Sequence, residues 1–408
     1  MENIRIDAEN LIVGNGELIK NGSVVYEGEK ISYAGETEHA PTIDDIVQTN
    51  TVMPGMWECH GHYTGLTKID YSMYFENPFQ TAMRCVGDAK VTLEAGFTSV
   101  REVGGYGVIL RKAIEEGSVV GPRIYGAGSM LSITGGHGDA HSMPYHIMDY
   151  MMATKEAPFS EIVDGVDEVL KGVRKQLRMG AEVIKFHSSG GVLSEIDNPI
   201  NQQFSLAEAR AIVEEATRAK LAVAAHCHGS DGIWNALNAG VTSIEHGTYL
   251  TDELADLMVE KNAILVPTRV IIEDAMQVKH LLPDYARIKM EQTADRNLES
   301  LKLAIRKGVK VACGTDIAFT HYAPFNKWGT NAKELEHYVN AGMTPMQAIV
   351  TATGTGPKTL GPHAPMSGML KEGYDSDIIL LKANPLDNIK LLQDKENFQS
   401  IIKRGKSI

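Results

Sequence analysis

Basic residues are outnumbered, aromatic residues are few and cysteine is scarce in this 408-residue chain. With 39 Lys and Arg against 52 Asp and Glu, the formal net charge is −13. A surface of that sign repels phosphate backbones, so no nucleic-acid partner is expected. The four cysteines (Cys59, Cys85, Cys227 and Cys313) have no CxxC spacing, which excludes a disulfide framework and a zinc ribbon. They read as reduced thiols, and a cytoplasmic location is expected. No stretch approaches the ~18 apolar residues of a spanning helix, so no membrane partner is expected either. The opening Met1-Glu2-Asn3-Ile4-Arg5-Ile6-Asp7 lacks the apolar core of a signal peptide. What remains is an ordinary globular composition, 43% hydrophobic and 22% charged. The length suits two to three domains of ~150 residues. It suits equally one α/β barrel of about 250 residues with additions.

The two ends of the chain share one pattern. Short apolar runs alternate with turn residues: Leu11-Ile12-Val13, Gly14-Asn15-Gly16, Ser23-Val24-Val25-Tyr26, and near the C-terminus Asp377-Ile378-Ile379-Leu380-Leu381 after Gly373-Tyr374-Asp375. That is strand-and-turn punctuation without a helical period. It predicts one small β-sandwich domain built from residues 1–51 and 365–408. Residues 52–364 follow another rhythm, in which a β-branched run leads to a polar loop and then a helical stretch. Expected strands end near His60, Arg101, Ala127, Lys185, His226, His246, Thr268 and Asp316. Several helices before them close on a glycine, as in Met179-Gly180 and Ala239-Gly240. Eight such units predict an α/β fold of the (β/α)8 TIM-barrel type. An open doubly wound sheet is the competing arrangement, but no Gly-rich phosphate loop follows the first strand.

Chemistry-bearing residues fall where a barrel places its active site, at the C-terminal strand ends. His60 and His62 form His-Gly-His, and an i, i+2 pair on a strand points both rings to one face, within reach of one metal. Lys185, His226, His246 and Asp316 end four further strands. Each alone has a bland reading as a satisfied polar residue, a solvent-reaching lysine or a turn former. Six on one rim are much harder to explain that way. Cys59 and Cys227 adjoin ligands but alternate to the opposite face, which makes them packing residues.

These motifs, with the closing segment Gly373-Tyr374-Asp375-Ser376-Asp377-Ile378-Ile379-Leu380, resemble the amidohydrolase superfamily, in its binuclear branch with a carboxylated lysine. The resemblance implies two divalent metal ions, zinc being the expected metal. His60, His62 and Asp316 would hold one, His226 and His246 the other, and N6-carboxylysine at Lys185 would bridge them. A carbamate is anionic with two oxygens, whereas an ammonium cannot be a ligand. A metal-bridging hydroxide would attack the carbonyl, and Asp316 would carry its proton to the leaving nitrogen. Two departures from the superfamily pattern, Trp57-Glu58 before the first ligand and Arg101-Glu102 on the second strand, read as changes in how ligands are oriented.

The loops Ser132-Ile133-Thr134-Gly135-Gly136-His137-Gly138-Asp139 and Gly190-Gly191-Val192-Leu193-Ser194 resemble those of the superfamily's dipeptidases and acyl-amino-acid carboxypeptidases. There His137 would polarise the scissile carbonyl or hold the substrate, and His228 would contact the substrate carboxylate. Prolidase-like relatives tend to carry Tyr at the His228 place. The resemblance is nearest to arginine/lysine carboxypeptidases, and Glu195, Asp197 and Asp139 are acids that a cationic side chain would need on entering a barrel mouth. The expected function is therefore hydrolysis of the amide before a C-terminal Arg or Lys in a dipeptide or N-acyl amino acid. The alternatives are an Xaa-Pro dipeptidase, a cyclic-amide hydrolase or deaminase of the same superfamily, and a non-enzymatic scaffold. Mononuclear deaminases generally lack the strand-four lysine. A homo-oligomer, with an octamer among the closed assemblies considered, is also expected from the resemblance and from the 18 methionines.

Overall fold

A computed structural model describes residues 3–68, 76–154 and 159–408. The N-terminal strands β1 (Asn3–Ile12), β2 (Leu18–Glu27), β3 (Lys30–Glu36) and β4 (Ile46–Pro54) lead into the barrel strands. These are β5 (Met56–Leu66), β6 (Phe97–Glu102), β7 (Arg123–Gly126), the short rim strands β8 (Met130–Ser132) and β9 (Ser160–Ile162), then β10 (Val183–His187), β11 (Ala222–Cys227), β12 (Ser243–His246), β13 (Ile264–Val266) and β14 (Lys310–Val311). A rim strand β15 (Ile317–Phe319) follows, and β16 (Ile378–Leu381), β17 (Phe398–Lys403) and β18 (Lys406–Ser407) return to the N-terminal strands.

The termini meet in one continuous seven-stranded sheet of order β18-β17-β16-β4-β1-β2-β3. Only the β1–β4 pairing is parallel. Alternation divides its side chains between two cores. Ile378 and Leu380 join Ile6, Val24, Ile31 and Val52 inside the sheet's own core, while Ile379 and Leu381 join the large core of the barrel.

Parallel pairing runs β15-β5-β6-β7 and β14-β13-β12-β11-β10-β8-β9. Two seams close the ring. The Glu182 N–H donates to Gly126 O at 2.9 Å, and the Cys59 N–H donates to Cys313 O at 2.8 Å. Every residue of β10 and β11 is buried, as strands covered by helices on one side and a filled barrel on the other require. The helices end as their sequence signals. Gly180 (φ 98°) and Gly240 (φ 96°) stop the helices Gly165–Met179 and Ser230–Ala239 in the left-handed region, returning the chain directly to β10 and β12. Ser205 and Glu208 form a reciprocal capping box at the start of Leu206–Arg218. Among the described residues, no helix is long and apolar enough to cross a membrane.

Candidate active site

The C-terminal strand ends bring all six expected ligands together, all but Asp316 buried. Three of them or their neighbours sit in the left-handed region without being glycine: His246 (φ 70°), Thr268 (φ 54°) and Asp316 (φ 56°). Such backbone costs about 1–3 kcal/mol per residue and persists only where surrounding bonds over-determine it. Here they do. Asn297 Nδ2 donates to His246 O at 3.0 Å and Pro267 O at 3.1 Å, and the Asp316 N–H donates to His60 O at 2.7 Å. Glu334 accepts the Arg269 and Val270 N–H groups, both at 2.7 Å, just after Thr268.

Hydrogen bonds on the far side of each ring decide which nitrogen faces the centre. Thr268 Oγ1 donates to Pro267 O at 2.8 Å, so it accepts from His246 Nδ1–H at 2.7 Å. Gly190 O can only accept, so His226 carries its hydrogen on Nε2, 3.1 Å away. The remaining nitrogens, His226 Nδ1 and His246 Nε2, face each other at 2.9 Å as two lone pairs. His62 Nδ1–H donates to Gly104 O at 2.8 Å, which turns its Nε2 toward Asp316 Oδ1 at 3.1 Å. His60 Nδ1–H is held by Glu245 at 2.7 Å, with Nε2 3.5 Å from the same Asp316 oxygen. The two facing imidazole lone pairs repel unless a cation lies between them, and the His62–Asp316 pair is held together by a cation too, either a proton or a metal ion. This donor set therefore fits two cations, one per pair.

Lys185 stands beside this arrangement, its Nζ 3.4 Å from His60 Nε2. Burial pulls its amine down to about 8, so about a tenth of it is unprotonated at pH 7, far more than for an ordinary lysine. Burial likewise keeps the imidazoles neutral: His60 falls to about 4, and His226 and His246 fall well below the ordinary value. Burial works the other way on the Asp316 carboxyl, yet His60 and His62 hold it at about 2.

Some contributing residues escaped the sequence reading, and others entered it only as departures from the superfamily pattern. Glu245 takes a fork of Arg101 Nη2 at 2.8 Å to both oxygens and also anchors His60. Against burial, Arg101 and His60 hold its carboxyl at about 2. It precedes a ligand, so simple alternation would turn it away; the left-handed His246 breaks that alternation. Arg101, singled out beforehand with Glu102, is fully buried and also donates to Cys59 O at 2.6 Å. Glu58 accepts from the His60 N–H at 2.8 Å and from Thr315, and burial raises its carboxyl to about 7. His187, two residues past Lys185, is buried with its ring edge-on to His137 at 4.9 Å; its i, i+2 spacing from Lys185 was the available signal. Cys59 and Cys227 pack in hydrophobic clusters.

The remaining expected residues lie around the loops. His137 stacks on His226 with centroids 4.4 Å apart, and His228 stacks on His246 at 4.7 Å. His228 is tied to Thr248 Oγ1 at 2.7 Å and His137 to Ser194 Oγ at 2.8 Å. Asp197 accepts the Gly191 N–H at 2.7 Å and faces Lys289 Nζ at 3.3 Å. Asp139 accepts the Gly135 N–H at 2.9 Å. Glu195 is exposed and accepts from Ser142.

Comparison with known proteins agrees with this geometry. The chain is 38% identical over 414 aligned residues to ochratoxinase of Aspergillus niger, covering 97% of this chain and 84% of the relative. The crystal structure of the A. niger ochratoxinase superposes with a TM-score of 0.92 at 36% identity, covering all of this chain and 95% of that one. A Xaa-Pro dipeptidase with methionine bound in its active site gives 0.85 at 32% identity over the whole of both chains. A prolidase complexed with N-methylphosphonate-L-proline gives 0.90 at 28% identity, over all of this chain and 99% of that one. The model of the amidohydrolase family matches residues 51–408, and the chain belongs to that family.

Proposed function

We propose that the protein is a binuclear metal hydrolase of amide bonds that releases the C-terminal amino acid from a dipeptide or N-acyl amino acid. The observation that carries this reading is the two facing pairs of ligand-type atoms, His226–His246 at 2.9 Å and His62–Asp316 at 3.1 Å, flanking a buried lysine. His60, His62 and Asp316 would hold one divalent cation, and His226 and His246 the other, with zinc the expected element. Bound there, the cations would supply Lewis acidity toward water and the scissile carbonyl. The unprotonated Lys185 amine would add to carbon dioxide, forming an N–C bond and losing one proton, which leaves an anionic carbamate between the two groups of ligands. Asp316, with a side chain 23% exposed, would take a proton from water and pass it to the leaving nitrogen. His137 and His228 would hold the substrate's carbonyl and α-carboxylate.

An uncharged released residue fits the surroundings better than a basic one. Asp139 commits one oxygen to the Gly135 N–H, Asp197 commits one to the Gly191 N–H and the other to Ser194 and Lys289, and Glu195 bonds Ser142 on the exposed rim. A cationic side chain would have to displace those bonds before it was compensated. The similarity to a Xaa-Pro dipeptidase with bound methionine supports the same choice. The test compares Xaa-Pro, Xaa-Met, Xaa-Leu, Xaa-Arg and Xaa-Lys substrates, together with ochratoxin, by kcat/KM on the zinc-loaded protein. We expect a free C-terminal amino acid, with an uncharged residue favoured at least tenfold, about 1.4 kcal/mol in transition-state binding. A tenfold preference for Arg or Lys would restore the basic-residue reading. Turnover of cyclic amides alone would overturn the carboxypeptidase reading altogether.

A further inference from the structure

Resting on the reading of His137 as a substrate-contacting group, we infer that residues 190–197 form a positioning device, locked from outside the barrel by Lys289, that fixes two active-site imidazoles at once. Lys289 lies on the long helix Asp284–Lys307, 92 residues from Asp197 in sequence. Its ammonium sits inside a curl of the loop. It donates to Ser194 O at 2.8 Å and Gly191 O at 3.2 Å, to Asp197 O, and to Asp197 Oδ1 at 3.3 Å. This is how a bound cation organises a loop, performed here by a side chain on a rigid element.

The locked loop reaches inward at two points. Gly190 O accepts Nε2–H of His226 at 3.1 Å, which leaves the His226 Nδ1 lone pair facing His246. Further along, Ser194 Oγ donates to Asp197 Oδ1, so that oxygen is left to accept Nδ1–H of His137 at 2.8 Å. His137 therefore presents Nε2, not Nδ1, to the substrate. Asp197 cannot swing away, because its other oxygen is occupied by the Gly191 N–H at 2.7 Å and Gln203 Nε2 at 3.2 Å. The loop also presses on the ring: a Cβ at Gly191 would lie 2.1 Å from both Nδ1 and Cε1 of His137. Asp197 and Lys289 are thus positioning residues that act through Ser194 and Gly190. A ring flip or tautomer exchange at His137 would break either the Ser194–His137 bond or the Ser194–Asp197 bond in a buried place.

The test uses zinc-loaded wild type, Ser194→Ala, Ser194→Thr and Lys289→Met. Histidine 15N spectra, assigned by difference with His137→Gln, report the tautomers, and metal content and steady-state kinetics are measured beside them. Ser194→Ala should keep wild-type metal content, lose the fixed Nδ1–H signature of His137, and drop kcat tenfold or more with KM within threefold. Ser194→Thr should restore the signature and most of kcat. Lys289→Met should disturb both histidine signals and lower metal content as well. A Ser194→Ala protein with the wild-type His137 signature and kcat within twofold would overturn the inference. So would a Lys289→Met protein with unchanged spectra and metal content. The spectra need no turnover, so a wrong substrate class would show as inactivity of the wild type without touching this result.

Discussion

At the strand ends, His60, Lys185, Arg101 and Glu245 are each at most 1% exposed, and their bonds run from one barrel strand to another. Around the loops, His137, Asp139, Glu195 and Asp197 lie on irregular segments, and their bonds run mostly to nearby backbone or to a distant helix. In the first region the fold itself sets the geometry, because parallel pairing fixes where each strand stops. In the second, geometry is set by individual hydrogen bonds that another sequence could rewire. Under the proposed function, chemistry would be carried by the rigid region and substrate choice by the replaceable one.

The comparison breaks most visibly if its rigid half is cut. Lys185→Ala should lower kcat/KM about 1,000-fold or more, some 4 kcal/mol, with reduced metal content. Short carboxylic acids should restore part of the rate by occupying the vacated volume. Wild-type turnover in that variant would reduce Lys185 to a structural residue. Asp316→Asn keeps an oxygen ligand but removes the proton carrier, so kcat should fall about 100-fold or more while the metal content holds. Loss of metal with kcat per bound ion preserved would reverse that assignment. Glu245→Gln leaves Arg101 buried against a neutral partner, at a cost of about 3–5 kcal/mol, read as a lower urea midpoint. An unchanged midpoint would mean the ion pair is not needed for stability.

Protonation attacks the same region more gently. Burial lowers His60 to about 4 and His228 to about 3, and moves His137, His226 and His246 down as well. In the unfolded chain these rings bind protons near pH 6.5. Between that pH and about 4 the unfolded state therefore holds more protons, and stability falls as pH falls. Each such ring contributes a slope of about 1.4 kcal/mol per pH unit. Metal-free protein should show this loss in urea titrations from pH 7 to 5, and bound cations should blunt it by competing with the protons. The loop half predicts the smallest effect: Glu195→Gln should leave hydrolysis of uncharged substrates within twofold, and a tenfold loss would place Glu195 in substrate binding.

How much of this was legible in the sequence follows the same division. The barrel, the terminal sheet and the clustering of the six candidate ligand residues were readable because i, i+2 spacing, β-branched runs and glycine helix stops are local signals. Glu245 was not, since it adjoins His246 and only a left-handed residue brings both into the site. Lys289, Asn297 and Ser300 were hidden for another reason. Their helix reads as polar and solvated, yet its buried stripe includes Asn297 and Ser300, which bond the backbone of His246 and Thr248 at the end of β12 and beyond it. Asp197 was legible as an acid near the site, but whether it faces the substrate or the loop depends on a lysine 92 residues away.

The most direct test of the account is the number of divalent cations bound per chain after reconstitution, measured by elemental analysis on protein of known concentration. The facing pairs of ligand-type atoms at His226–His246 and His62–Asp316 predict two. A saturating value of one or none would contradict the binuclear cradle on which the proposed chemistry depends.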